Sequence, residues 1–414
     1  MILIVQYVWI NNFFKVTNLK FKEKITKLVI TSGYRWNYFE WFLLGFKDLE
    51  KRGIINIEYD LPVASRLLMH SNSELCSNII NHLKNVTETD TYNMEGYFVY
   101  ENGDKKYFCI DSADSPFLFD ESSLKRVTTY FKMQCPKNLD DDSFKLTDKV
   151  SIPWSDHAHK DLNLNLTDPG ERRVIKSITP YKSKIKPLMI GPRQLAVGCG
   201  YKALKKGYDN YLNDQTYNKS KKIMCYFGNA AGPGMKKNVV KPDFDWEKDL
   251  MGYYKNNLSH PNEKRAKVAK YIEKLPSSDA RIISQGNSDS NAKRNEKLII
   301  PLKDFCKHIS KFQYNMNVSG YRLSIPNRFI ESFMVGTAIF TDKLSVKWYK
   351  SFDDEVRETV EMGYLPINEV DWKGFENDLR KLPESNPEKV IKTFRKKWAP
   401  EVVARYIIDT VSNS

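Results

Sequence analysis

The segment 324–341 carries an arginine and a glutamate at a spacing that suits phosphate and ribose. Arg328 and Glu331 stand three positions apart, so a helix presents them on one face. Ser324 is a good N-cap residue, and Pro326 is tolerated in the first turn, where backbone N–H groups lack an intrahelical partner. Such a helix start attracts anions, an arginine binds a phosphate bidentately, and a carboxylate one turn later accepts hydrogen bonds from ribose hydroxyls. The alternative is a surface helix with an ordinary Arg–Glu pair.

A glycine-rich segment that begins at Gly228 is a second candidate for phosphate binding. It follows the apolar run Lys222–Phe227, which is typical of a strand, and it ends on Lys236 and Lys237. Glycines after a strand let backbone N–H groups approach a diphosphate, and a lysine neutralises its charge. The spacing matches neither the Walker loop nor the dinucleotide-binding fingerprint, and an ordinary glycine turn is the alternative.

The first strand-to-helix loop of the chain is a third candidate, on the side of a second substrate. Gly33 permits the close approach of a ligand, and Arg35 is expected to face a cleft. The helix that follows is rich in aromatic residues. These serve either as core or as platforms for sugar rings.

The elements that must position these residues alternate between strands and helices in both halves of the chain. In the first half, a strand–helix–strand unit ends its helix at Gly53, and Asn102-Gly103 predicts a hairpin. In the second half, strands are predicted at 222–227, 280–284, 313–318 and 337–341. This pattern predicts an α/β fold with two Rossmann-like parallel-sheet domains facing a cleft, in which ligands bind beyond the carboxyl ends of the strands.

Shifts in composition predict the domain boundaries. The predicted segments are an N-terminal extension, an N-terminal domain, a linker, a C-terminal domain and a terminal helical segment, over 1–24, 25–212, 213–221, 222–395 and 396–414.

Composition and charge narrow the class of protein further. The 414 residues are 41% hydrophobic and contain no apolar run long enough to span a bilayer, which predicts a soluble globular protein. The formal net charge of +14 favours contact with nucleic acid, an anionic membrane or phosphorylated small molecules. Much of that charge falls in the stretch 172–206. Six cysteines without metal-ligand spacing are typical of reduced thiols in the cytoplasm.

The stretch around Arg328 resembles the donor site of GT-B nucleotide-sugar glycosyltransferases. Its Arg-x-x-Glu…Gly pattern is also similar to that of exostosin-type and fucosyltransferase-like enzymes. The residues that carry the resemblance are Ser324, Arg328, Glu331, Gly336 and Ala338–Phe340. The resemblance implies that the C-terminal domain, 222–395, binds a nucleoside-diphosphate sugar and that the N-terminal domain, 25–212, binds the acceptor, with no cofactor and no metal ion.

The same resemblance assigns roles to other segments. Gly228, Lys236 and Lys237 stand where these transferases have a donor-phosphate loop. The terminal helix Pro400–Val411 resembles the crossing helix that packs back on the N-terminal domain. Leu323 stands where many retaining members have a second glutamate, which favours an inverting mechanism.

An inverting transferase needs a base that deprotonates the acceptor hydroxyl, and Asp111 and His157 are the candidates. Asp111 directly follows a strand, where cleft residues lie, and His157 is in a long polar segment. A turn-forming aspartate and a solvated loop histidine are the respective alternatives. Asp111 and Asp114 have no histidine nearby, so no metal site is predicted.

The resemblance therefore implies a hexosyl- or deoxyhexosyltransferase. It would move a sugar to a glycan or lipid-linked acceptor, with inversion, in the synthesis of a surface polysaccharide or glycoconjugate. The basic stretch 172–206 predicts peripheral contact with an anionic membrane at its cytoplasmic face. Two alternatives stay open: a basic nucleic-acid-binding protein, which no known motif supports, and a non-catalytic relative of the same fold.

Overall fold

The chain has a mixed α/β fold built on one six-stranded and one five-stranded sheet, in a computed structural model. The described residues are 24–70, 92–113, 116, 119–137, 139, 178–192, 222–231, 268, 271–272, 274, 278–285, 302–317, 325–341, 346–350, 363–364 and 384–414. A single buried hydrophobic cluster contains residues from both sheets. The predicted boundaries at 212 and 222 stay predictions.

The first sheet is mixed rather than purely parallel. Its six strands are β1 (Ile25–Gly33), β2 (Asn56–Tyr59), β3 (Asn93–Tyr100), β4 (Lys105–Asp111), β5 (Thr129–Lys132) and β7 (Ile185–Pro187). The short strand β6 (Cys135–Pro136) lies between β5 and β7 in the sequence but does not belong to this sheet. The order is β2-β1-β3-β4-β5-β7, and β3 runs antiparallel to both of its neighbours. The hairpin predicted at Asn102-Gly103 is confirmed, with Gly103 at φ 86. A tight hairpin forces antiparallel pairing, so the expected parallel sheet is interrupted there.

Helix α1 (Trp36–Lys51) brings a set of aromatic side chains into the core of the first half. The buried members of this set are Trp36, Phe39, Trp41, Phe42 and Phe46. Of the two interpretations of these aromatic residues, core packing is therefore the one observed. The helix is followed by Gly53 at φ 69, as predicted. The first half also contains α2 (Val63–His70) and α3 (Glu121–Arg126).

In the second sheet every described strand is parallel to its neighbours. The elements are β8 (Lys222–Ala231), β9 (Asp279–Gln285), α4 (Leu302–Ile309), β10 (Phe312–Asn317), α5 (Arg328–Met334), β11 (Ala338–Thr341) and β13 (Gly363–Tyr364). The short β12 (Val346–Lys347) pairs with β6 of the first half.

The strand order β13-β11-β10-β8-β9 locates the natural ligand crevice of this sheet. The chain passes from β8 outward to β9 and then returns to the other side of β8 with β10. The order of these five strands therefore reverses between β8 and β10. In open parallel sheets, ligands bind outside the carboxyl ends of the strands at such a reversal.

The last two helices of the chain contact elements of both its first and its second half. Helix α6 (Pro387–Lys397) contacts α5, and α7 (Pro400–Ser412) contacts α1. The Tyr406 hydroxyl donates to the Pro187 carbonyl at 2.9 Å, and the Lys106 amine donates to the Ser412 carbonyl at 2.6 Å. The predicted terminal helix is confirmed. No helix in the described part of the chain is long and apolar enough to cross a bilayer.

Replacing Gly45 with alanine tests the contact between α1 and α7. A Cβ at this position would overlap the Pro400 carbonyl oxygen and press on Ala404. Helix propensity favours alanine by about 1 kcal/mol, but overpacking costs about 1–3 kcal/mol and the backbone cannot yield easily. We expect Gly45→Ala to lower the free energy of unfolding in urea, whereas Lys51→Ala, at an exposed position of the same helix, leaves it nearly unchanged. A stabilised Gly45→Ala protein would contradict the described contact.

Candidate functional site

The turn into helix α5 differs from its prediction in how it begins. Asn327, rather than Ser324, is the N-cap residue, and the helix starts at Arg328. Ser324 lies outside the described residues. The Asn327 side chain does not cap the helix but donates its Nδ2 to the Gly191 carbonyl at 2.6 Å. The start of the helix is therefore set by a tertiary contact, which capping preferences do not predict.

Arg328 lies at the carboxyl end of β10, beside the strand reversal. Its Nε donates to Oδ1 of Asn317, the last residue of β10, at 3.2 Å. Met316 of β10 pairs with Tyr226 of β8, so β8 is the neighbouring strand at this edge of the sheet. The guanidinium is thus at the point where the topology alone places a ligand.

Glu331 is buried in the same helix, with 5% of its surface exposed. It lies close to the Cys306 thiol of α4. Burial raises the pKa of that thiol well above its ordinary value, and the negative charge of Glu331 adds to the rise. The neighbours of Glu331 in α5, from Phe329 to Met334, are buried as well. The simple surface-helix interpretation is therefore wrong.

Two asparagines of β10, which sequence reasoning missed, complete a buried polar cluster with Arg328. Ser332 donates its hydroxyl hydrogen to the Arg328 carbonyl at 2.6 Å, so it accepts from Asn315 Nδ2 at 2.7 Å. This contact fixes the orientation of the Asn315 amide, because its Nδ2 faces Ser332 and its Oδ1 therefore points away from Ser332. Arg328 only donates, so Asn317 must turn Oδ1 toward it and Nδ2 away.

These orientations leave one acceptor and one donor unsatisfied. Within the described part of the chain, neither Asn315 Oδ1 nor Asn317 Nδ2 has a hydrogen-bond partner, and both residues are fully buried. Positions two apart on a strand point to the same face. An unpaired buried polar atom costs about 1–3 kcal/mol, so such atoms beside a strand reversal indicate a place for a ligand or water. The sequence signal for this cluster was the pair of asparagines, Asn315 and Asn317, two positions apart in a segment predicted to be a strand.

Contacts from the first half hold the turn before α5 in place. Buried Gln134 donates Nε2 to the Ile325 carbonyl at 2.9 Å, and its Oε1 accepts from the Ile325 N–H at 3.0 Å. Gln134 follows β5 by two residues, while Arg328 contacts the end of β10. The turn 325–328 therefore lies between the carboxyl ends of strands from both sheets.

Asp111 lies at the carboxyl end of β4 in a buried ion pair. Its Oδ2 accepts from Lys132 Nζ at 2.8 Å and from the Tyr130 hydroxyl at 2.6 Å. Its Oδ1 accepts from the Ala113 N–H at 2.7 Å, which is the turn geometry given as the alternative. Burial, with the Asp111 charge adding to it, raises the pKa of Tyr130 well above its ordinary value. Any acceptor hydroxyl would have to displace one of these partners, so the base role stays a prediction.

Gly33, the glycine expected to admit a substrate, packs against the Trp36 side chain. A Cβ on Gly33 would come within 2.8 Å of the Trp36 ring, so the indole requires glycine there. The Gly33 carbonyl accepts from the Ser65 hydroxyl. The Arg35 guanidinium lies over the Tyr92 ring, 4.0 Å from its centroid. An acceptor-binding role for Gly33 and Arg35 stays a prediction.

The segment that begins at Gly228, predicted to be a phosphate-binding loop, begins in a strand. Gly228 is not in a loop but inside β8, where it pairs with Ile282 of β9. Parallel pairing with β9 continues to Ala231 and overrides the turn preference of glycine. Lys236 and Lys237 lie outside the described residues, as does His157. No group of three or more His, Cys, Asp or Glu side chains suited to a metal ion occurs among the described residues.

Comparisons with known proteins give little beyond this geometry. No protein-family model matches the chain, and no curated protein matches it. Among solved structures the chain is similar to WaaG, a glycosyltransferase involved in lipopolysaccharide biosynthesis, at 10% sequence identity and a TM-score of 0.35. That likeness covers 94% of this chain and 98% of the other. It establishes neither a shared fold nor a shared activity.

Removing the Gln134 amide tests how firmly the turn is held. Gln134→Ala leaves the buried N–H and carbonyl of Ile325 without partners, so we expect a loss of at least about 2 kcal/mol in the free energy of unfolding. Urea denaturation followed by tryptophan fluorescence measures this loss. Gln313→Ala, at a half-buried position of β10, is the matched control and should cost clearly less. Equal effects of the two substitutions would mean that Gln134 does not hold the turn.

Proposed function

We propose that this chain is a glycosyltransferase that takes its sugar from a nucleoside diphosphate. The observation that carries the proposal is the turn 325–328, which lies between the carboxyl ends of strands from both sheets and places Arg328 beside the β8–β10 reversal. The resemblance of this stretch to GT-B donor sites supports the same assignment.

In this proposal the diphosphate lies against Arg328 and Asn317. The guanidinium supplies charge-assisted hydrogen bonds, and the unsatisfied Nδ2 of Asn317 adds a neutral donor. Departure of the nucleoside diphosphate builds negative charge on its oxygens, which these donors stabilise at the moment of transfer. Glu331 accepts hydrogen bonds from the ribose hydroxyls, and Lys236 or Lys237 contributes further positive charge.

The acceptor side of the proposal rests on the first half of the chain. The acceptor is a glycan or a lipid-linked molecule, and the transfer inverts the anomeric configuration. Asp111 or His157 deprotonates the acceptor hydroxyl; Asp111 does so after exchanging Tyr130 or Lys132 for substrate. The enzyme works in the cytoplasm, in the synthesis of a surface polysaccharide or glycoconjugate. The basic stretch 172–206, of which 178–192 are described, would contact the anionic membrane.

Nucleotide binding gives the first test of this function. We expect one of UDP, GDP, CDP or ADP to raise the melting temperature of the chain, and the corresponding monophosphate to raise it less because Arg328 binds the diphosphate. Arg328→Lys keeps the charge but loses the bidentate fork, so affinity should fall about tenfold. Arg52→Lys, at an exposed position beyond α1, should not change it.

Two outcomes would contradict the proposal. The first is the absence of any shift with all four nucleotides. The second is an unchanged affinity in Arg328→Lys. Salt-sensitive binding of a labelled oligonucleotide without nucleotide binding would instead favour the nucleic-acid alternative. Nucleotide binding with no turnover of the matching sugar nucleotide would favour the non-catalytic relative.

A further inference from the structure

A cavity lies in the first half, on the sheet face opposite α1. Side chains alternate along β3 and β4, so Phe98, which packs on Phe46 of α1, points away from the face that carries Glu95 and Tyr107. The cavity has a volume of about 350 Å³, within the range of small-molecule sites. Its lining includes Thr31, Glu95, Tyr107, Phe108, Arg126 and Val127.

One wall of the cavity is a preorganised carboxylate–guanidinium pair. Arg126 donates to both oxygens of Glu95, at 2.8 Å and 3.0 Å, and the Ser123 hydroxyl also donates to Glu95. Side-chain exposure is 57% for Arg126 and 20% for Glu95, so both reach solvent. The Glu95–Arg126 ion pair has no net charge, but it still presents carboxylate lone pairs and guanidinium N–H groups to a ligand.

Another wall is an exposed aromatic ring. Tyr107 is 44% exposed, although most large hydrophobic residues described in this chain are buried. Tyr97 lies beside it, with the ring centroids 5.2 Å apart, and Lys105 covers the Tyr97 ring at 4.9 Å. The partner ring limits the movement of Tyr107, so a ligand can stack on it at low entropic cost.

These walls select for a particular chemistry. An anion would be repelled by Glu95, which already occupies the Arg126 guanidinium, and a cation would have to compete with Arg126 for the carboxylate. A neutral ligand with many hydroxyls and an apolar C–H face satisfies both walls, since hydroxyls bond the ion pair and C–H groups stack on the ring. We infer that this cavity binds a neutral saccharide unit.

The inference does not depend on the proposed transferase activity. It uses neither Arg328 nor the second sheet, and it holds for a binding protein as well as for an enzyme. If the transferase proposal also holds, the cavity provides a glycan subsite away from the donor.

Saturation-transfer NMR on the full chain tests the inference directly. The probes are the methyl glycosides of glucose, galactose, mannose and N-acetylglucosamine at millimolar concentration. We expect at least one glycoside to bind, and Tyr107→Ala to weaken it about tenfold through loss of stacking. Tyr107→Phe, which keeps the ring, should retain most of the binding. Tyr59→Ala, which removes a partly buried tyrosine from another strand of the same sheet, is the control and should bind as the unmodified chain does.

Arg126→Ala gives a second, independent variant. It removes an exposed side chain and leaves the Glu95 carboxylate without its guanidinium partner, so it too should weaken the glycoside. The inference is overturned if no glycoside binds, or if neither Tyr107→Ala nor Arg126→Ala changes the affinity. Binding of inorganic phosphate at this cavity in place of a glycoside would also overturn it.

Discussion

The two hydrogen bonds between Gln134 and the backbone of Ile325 are the constraint on which the candidate site depends. A side-chain amide that satisfies both groups of one buried residue fixes the position and the direction of that backbone. It does so 191 positions away in the chain, just before α5 begins. The bond from Asn327 to Gly191 adds a second tie. Together they decide where Arg328 lies relative to both sheets.

Aromatic packing gives this arrangement a rigid support. Trp398, at the junction of α6 and α7, stacks on Phe333 of α5 with centroids 5.3 Å apart and meets Trp348 edge-on. Its carbonyl accepts from Trp41 Nε1 of α1 at 3.1 Å. Helices from both halves thus contact one another through one apolar cluster. The amide atoms Asn315 Oδ1 and Asn317 Nδ2 are among the buried polar atoms that this packing leaves unsatisfied in the described part of the chain. Conflicts between a well-packed core and unpaired polar atoms concentrate at functional sites.

Local chemistry accounted for the elements that sequence reasoning predicted correctly. The Asn102-Gly103 hairpin, the end of α1 near Gly53 and the strand after Gly336 each depend on a few neighbouring residues. The elements that it missed depend on distant partners. Gly228 is a strand residue because β9 lies beside it, and Ser324 is not the cap because Asn327 is held from the other half. Gln134 gave no local signal, since its role exists only in the folded chain.

In the proposed transferase, the carboxyl edge shared by β8 and β10 is the diphosphate site. A crystal structure with the nucleoside diphosphate that binds best tests this most directly. The predicted result is a phosphate oxygen within hydrogen-bond distance of both the Arg328 guanidinium and the Asn317 amide, with the ribose beside Glu331. A nucleotide bound elsewhere, with no phosphate contact to Arg328, would contradict the assignment.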